Sequence, residues 1–94
     1  MSDSRPVALI TGAGTGIGRA AALELARRGY RLALVGRRAE HLHKTGAATG
    51  GAQGADWVAI PADVGVQAQV CAMVARTVEA FGRLDALVNN AGYA

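Results

Sequence analysis

Residues 11–18 read Thr-Gly-Ala-Gly-Thr-Gly-Ile-Gly, and they carry the clearest chemistry in the chain. They follow an apolar run, Val7-Ala8-Leu9-Ile10, and open an alanine-rich stretch around Ala20-Ala21-Ala22. A strand, a glycine-rich turn and a helix in that order form a phosphate cradle. Gly12 lets the chain leave the strand in a tight turn. Gly16, lacking a Cβ, lets a pyrophosphate approach the backbone. The free N–H groups around Thr15, Gly16 and Ile17 are expected to point at its oxygens, helped by the helix dipole. Gly18 is expected to permit close packing of helix on strand. The dipole contributes about 0.3–2 kcal/mol, so hydrogen bonds and nucleoside pockets must supply most of the affinity.

The octet is best described as Gly12-x-x-x-Gly16-x-Gly18. The commoner dinucleotide fingerprint, G-x-G-x-x-G/A, fails from Gly12 because Ile17 takes its last position. A P-loop is excluded, since the glycines are not followed directly by Lys-Ser or Lys-Thr and Lys44 is the only lysine. Four glycines at alternate positions cost conformational entropy that a plain connector avoids. The octet is therefore read as a ligand site, with Gly14 included.

The elements that must position this octet follow from periodicity. Val7–Thr11 is a continuous apolar run, as in a strand covered on both faces. Residues 16–28 are expected to form a helix, with Gly29 just past its end. Residues 31–36 give a second strand, and residues 38–49 a weaker, more polar helix. Gly46, Gly50, Gly51 and Gly54 mark a loop. Trp57–Ile60 is a third strand, leading into Pro61-Ala62-Asp63-Val64. Residues 67–81 form the clearest helix, in which Val70, Val74 and Val78, with Met73 and Phe81, read as a core stripe. Gly82 ends it, and Leu84–Val88 is a fourth strand, followed by Asn89-Asn90-Ala91-Gly92. The order is β-α-β-α-β-α-β. It implies an α/β fold: a Rossmann-like, doubly wound parallel sheet, present in part. Residues 1–6 read as an N-terminal tail, and 7–94 as an incomplete dinucleotide-binding domain.

Composition narrows the function classes. Ninety-four residues, 51% of them hydrophobic, suit one small domain and not disorder. The net charge of +3 is scattered, with no aromatic interleaved among the arginines, so no nucleic-acid partner is expected. Arg27, Arg28 and Arg31 read as solvated surface charge. Cys71 is the only cysteine, so no disulfide or CxxC metal site is possible within the chain, and a buried structural thiol is expected. His41 and His43 are two apart and do not share a helix face. They are expected to be exposed, and no metal site is assigned. No apolar run approaches a membrane span, and the N-terminus lacks an apolar signal core, so a cytoplasmic protein is expected.

Three motifs, Thr11-Gly-x-x-x-Gly-Ile-Gly18, Asp63-Val64 and Asn89-Asn90-Ala91-Gly92, occur in that order, each at the carboxyl end of a strand. Together they resemble the classical short-chain dehydrogenases/reductases, from Val7 to Gly92. The resemblance implies that the octet holds the pyrophosphate of a nicotinamide dinucleotide. It also implies that Asp63 and Val64 lie against the adenine, and that Asn90, Ala91 and Gly92 border the adenosine ribose. Asp63 also suits a turn or helix cap, and the two roles are compatible. In the parent enzyme, the resemblance implies carbonyl/alcohol interconversion on a small-molecule substrate and a homo-oligomer.

NAD binders commonly carry Asp or Glu at the end of the second strand, roughly 20 residues after the glycines. Here that position is Gly36, followed by Arg37-Arg38. An arginine bonds a 2′-phosphate bidentately, whereas a carboxylate repels it. NADP(H) is therefore expected over NAD(H), with Arg37 the first contact and Arg38 the second.

The family's catalytic Tyr and Lys, four residues apart, its Ser and its supporting Asn cannot be placed. Tyr30 is followed four positions later by Leu34, Tyr93 is penultimate, and the only serines are Ser2 and Ser4. No catalytic residue is assigned. The chain is expected to be the N-terminal part of a longer oxidoreductase, truncated or incomplete, and inactive alone. The alternatives are a non-catalytic dinucleotide-binding module and a non-functional fragment that does not fold alone.

Overall fold

Strands that are apolar on both faces need cover on both, and this chain supplies it by following each of its first three strands with a helix. The computed structural model describes residues 3–90. The elements run β1 (Val7–Thr11), α1 (Gly16–Arg27), β2 (Arg31–Gly36), α2 (Ala39–Ala48), β3 (Trp57–Pro61), α3 (Gln67–Phe81) and β4 (Ala86–Val88). All strand pairs are parallel, in the order β3-β2-β1-β4. This is the expected partial Rossmann-like α/β sheet.

Alternation along the strands divides the core. Ala8, Ile10, Leu32, Leu34 and Trp57 face one way and pack with Ala22 of α1 and Leu42 of α2. Leu9, Ala33, Val35 and Ile60 face the other way and pack with Met73 of α3. Every residue of β1 is buried. Helix α1 stops in a Schellman motif: Gly29 has φ of 92°, its N–H donates to Ala26 O, and the Tyr30 N–H donates to Leu25 O.

Several expectations need correcting. The fourth strand begins at Ala86, not Leu84, because Asp85 meets β1 with its side chain. The Val7 N–H donates to Asp85 Oδ2 at 2.8 Å, and the Asp85 N–H donates to Val7 O at 2.8 Å. The buried line of α3 is Met73, Thr77 and Phe81, whereas Val78 is 44% exposed. Cys71 is exposed, not buried. It lies two residues from Met73, and such a spacing turns it away from the sheet.

Arg31 is buried, not solvated. Its guanidinium lies 5.1 Å from the centre of the Phe81 ring, and its Nη2 donates to the carbonyls of Arg5 and Asp3. The cation thus fastens residues 3–6 across the amino ends of the strands. Asp3 and Arg5 bond to each other there, and Arg5 also pairs with Asp56 at 2.9 Å. The hydrogen bonds from the Arg5 side chain and N–H hold the Asp3 carboxyl well below its ordinary value.

Gly46 is not part of a loop. It lies in α2, buried against the indole of Trp57, and a Cβ there would collide with the ring carbons. The indole has little room to retreat, being buried with its N–H donated to Gly51 O at 3.2 Å. Replacing glycine by alanine in a helix gains about 1 kcal/mol, but overpacking a core costs about 1–3 kcal/mol. Overpacking is expected to win for Gly46→Ala. A melt followed by circular dichroism should show a Tm lower by about 4–8 °C for each kcal/mol lost. A raised Tm would mean that Trp57 yields and helix propensity decides.

Candidate functional site

The chain adds β2 and β3 on one side of β1 and then crosses to place β4 on the other. This reversal leaves a crevice at the carboxyl ends of β1 and β4, where open α/β sheets bind ligands. The glycine octet leaves β1 there. Gly12 has φ of 63° and Gly16 φ of 59°, conformations that favour glycine. Thr15 precedes α1 in extended geometry and makes no side-chain cap. The first-turn N–H groups of α1 therefore receive no cap from the Thr15 side chain. A Cβ on Gly16 would meet nothing within 4 Å, so the space above this turn is open. Ile17, just inside the helix, is 78% exposed.

The remainder of the turn is held from behind. The Ala13 N–H donates to Val35 O at 3.0 Å, and the Thr45 hydroxyl donates to Ala13 O at 2.9 Å. Gly18 packs so closely that a Cβ would strike Gly12 O and lie 2.9 Å from Asn90 Nδ2. The expected helix-on-strand contact is therefore a contact with the turn itself.

Two cavities adjoin the cradle. One, of about 220 Å³, is lined by Gly12, Gly36, Arg37, Ala62, Asp63, Val64 and Gly65. The other, of about 120 Å³, is lined by Gly12, Gly14, Thr15, Gly36, Arg37, Arg38, His41 and Leu42. Gly12, Gly36 and Arg37 border both. Arg38 borders only the smaller, and its carbonyl accepts the His41 and Leu42 N–H groups at the start of α2. Asp63 forms a turn: Oδ1 accepts the Gly65 N–H at 2.9 Å, and its carbonyl accepts the Val66 N–H at 3.1 Å. The cap of α3 is Val66, so Asp63 is a turn residue and not the helix cap.

On the other side of β1, the Asn90 N–H donates to Thr11 Oγ1 at 2.8 Å, and that hydroxyl lies 3.2 Å from Asn89 Oδ1. Asn90 is thus fixed beside Gly18 and the cradle. Ala91 and Gly92 lie outside the described residues. The structure therefore gathers the octet, Arg37, Arg38, Asp63, Val64 and Asn90 along one rim. The structure adds His41 to this rim and Thr45, buried behind the turn, to its support; neither role is marked by a sequence motif.

A parallel sheet with a glycine cradle at its switch point defines a Rossmann-like nucleotide-binding unit. The chain belongs to the short-chain dehydrogenase family, whose model matches residues 6–94. It is 47% identical over 87 residues to levodione reductase of Leifsonia aquatica, covering 92% of this chain and 33% of that protein. Among solved structures, it resembles an actinorhodin polyketide ketoreductase variant with NADPH (TM-score 0.86, 37% identity, 99% of this chain and 36% of that one). It also resembles a 3-ketoacyl-(acyl-carrier-protein) reductase from Brucella melitensis complexed with NADH (TM-score 0.78, 33% identity, 87% of this chain and 32% of that one). The chain thus spans about a third of the length of these relatives. Among the described residues, no helix is long and apolar enough to cross a membrane, and no group of three or more His, Cys, Asp or Glu could hold a metal ion.

Proposed function

We infer that residues 7–94 are the cofactor-binding part of an oxidoreductase that interconverts a carbonyl and an alcohol, and that the cofactor is NADP(H). The observation that carries this reading is Arg37 at the junction of two cavities, with Gly36 where a carboxylate would grip the ribose of NAD. The open space above Gly16 and the two cavities beside the cradle support a dinucleotide lying along this rim. Among the solved relatives, one holds NADPH and one NADH, so the family alone leaves the choice open and the arginine supports one side of it.

In this reading the first-turn N–H groups of α1 and the Gly12–Gly18 turn hold the pyrophosphate. Asp63 and Val64 receive the adenine, Asn90 with Ala91 and Gly92 borders the ribose, and Arg37 and Arg38 receive the 2′-phosphate. The bound nicotinamide supplies or accepts a hydride. These residues bind and orient it, and none of them moves a proton. The 94 residues contain no Tyr followed four positions later by Lys. Binding without turnover is therefore expected of this chain, and carbonyl reduction by it would overturn that part. The substrate is placed among small carbonyl and alcohol compounds, and the parent enzyme is proposed to be a homo-oligomer.

The test is a thermal melt with and without NADPH. At a hundredfold excess over Kd, a ligand adds about 2.7 kcal/mol. For a domain of this size, that raises Tm by about 10 °C or more. A smaller rise is expected with NADH at the same concentration. An unchanged Tm at millimolar NADPH would sink the reading, and no cooperative melt at all would favour a fragment that does not fold alone.

A further inference from the structure

His41 is the one ionisable residue in the wall of the smaller cavity besides Arg37 and Arg38. It sits in the first turn of α2, half-buried, with its Cβ against Gly14: a Cβ built on Gly14 would lie 2.7 Å from it. This contact seats the imidazole beside the octet. No hydrogen bond or ion pair among the described residues engages its ring. The charged groups on the elements around it are Arg37 and Arg38 on the preceding loop, Glu40 and Lys44 on α2, and Arg19, Glu24 and Arg27 on α1, where Glu24 pairs with Arg27. Two carboxylates thus stand among five cations around the ring, so the surroundings favour an anion. A dianionic phosphate entering between Arg37 and His41 adds two negative charges beside the ring, which favours its protonated form.

We propose that His41 is a third contact for the 2′-phosphate, one that takes up a proton as the phosphate binds, so that preference for the phosphorylated cofactor strengthens as pH falls through neutrality. The proposal rests on the NADP(H) reading above. Histidine alone among ordinary side chains changes charge in this range, whereas the two arginines stay charged throughout. They would give a preference independent of pH. The phosphate itself takes up a proton near about pH 6, which opposes the effect in acid. The gain is therefore confined to the window between about pH 6 and about pH 8.

The chain has two histidines, which allows a test on the unaltered protein. Their ring C–H signals are titrated by NMR alone, with saturating NADP+ and with saturating NAD+. His43, edge-on to Trp57 at 5.6 Å between ring centres, is the internal control. The His41 midpoint is expected to rise by about one unit or more with NADP+ and to stay with NAD+, while His43 moves with neither. Equivalently, NADP+ should bind about tenfold more tightly at the acid end of the window. His41→Gln should abolish this pH dependence while leaving a preference for NADP+. His41→Arg should fix it at the tighter value. A His41 midpoint indifferent to NADP+, with NADP+ still preferred, overturns the role of His41 alone. No preference for NADP+ at any pH overturns the underlying reading with it.

Discussion

Gly18→Ala should both destabilise the fold and abolish dinucleotide binding. Gly18 is buried in the first turn of α1, and its missing Cβ is the space occupied by the carbonyl oxygen of Gly12. A methyl there meets backbone that cannot rotate away. Gly12 is held at φ of 63° between β1 and Ala13, and the Ala13 N–H and carbonyl are bonded to Val35 and Thr45. Alanine recovers about 1 kcal/mol of helix propensity. Displacing the turn is expected to cost about 3 kcal/mol or more, the upper range for overpacking. A domain of this size has about 5–15 kcal/mol in total, so the loss is a large fraction of its stability.

Gly16→Ala is the informative contrast. Its methyl meets nothing within 4 Å, but φ of 59° charges an L-residue about 1–2 kcal/mol. That variant should remain folded, with a moderately lower Tm and weakened NADPH binding, because the methyl projects into the open space above the cradle. Urea denaturation followed by circular dichroism, with a parallel NADPH titration, separates the two. Wild-type stability in Gly18→Ala would show that the turn can shift, and the tight contact of Gly12 with Gly18 would then not fix the cradle.

The contrast also shows why some of the structure was legible in the sequence and some was not. Strands covered on both faces leave continuous apolar runs, so β1 and β2 could be bounded to the residue from Val7–Thr11 and Arg31–Gly36. The turn glycines announce themselves because few other residues tolerate their backbone angles. Contacts between distant segments leave weaker traces. Gly46 looked like one of a cluster of loop glycines, since nothing local tells that Trp57, from the next strand, lies on it. Arg31 looked like surface charge because its partners, Asp3, Arg5 and Phe81, come from both ends of the chain. Val78 fitted the four-residue repeat of Val70 and Val74, but that row drifts around α3 and leaves the sheet by its last member. His41, like His43, was expected to be an exposed helix residue; its half-buried place beside Gly14 depends on how α2 packs against the octet.

Arg37→Glu should reverse the choice between the two nicotinamide cofactors. Arg37 is exposed, and no ion pair among the described residues engages it, so the change should move stability by less than about 0.5 kcal/mol. An effect on binding can then be read without an effect on folding. A charge-assisted hydrogen bond contributes about 1.5–3 kcal/mol. Its loss, together with repulsion between the new carboxylate and a dianionic phosphate, is expected to weaken NADPH by about a hundredfold or more. The same carboxylate, one position beyond the Gly36 place where NAD binders carry theirs, meets only ribose hydroxyls in NADH and can accept their hydrogen bonds. NADH should therefore bind as well as before or better. Arg38→Ala should weaken NADPH by a smaller factor, because Arg38 borders the smaller cavity alone whereas Arg37 borders both. Calorimetric titration of each variant with NADPH and NADH checks the order. Equal loss for both cofactors in Arg37→Glu would remove Arg37 from the phosphate site and leave its position at the cavity junction without a role in selectivity.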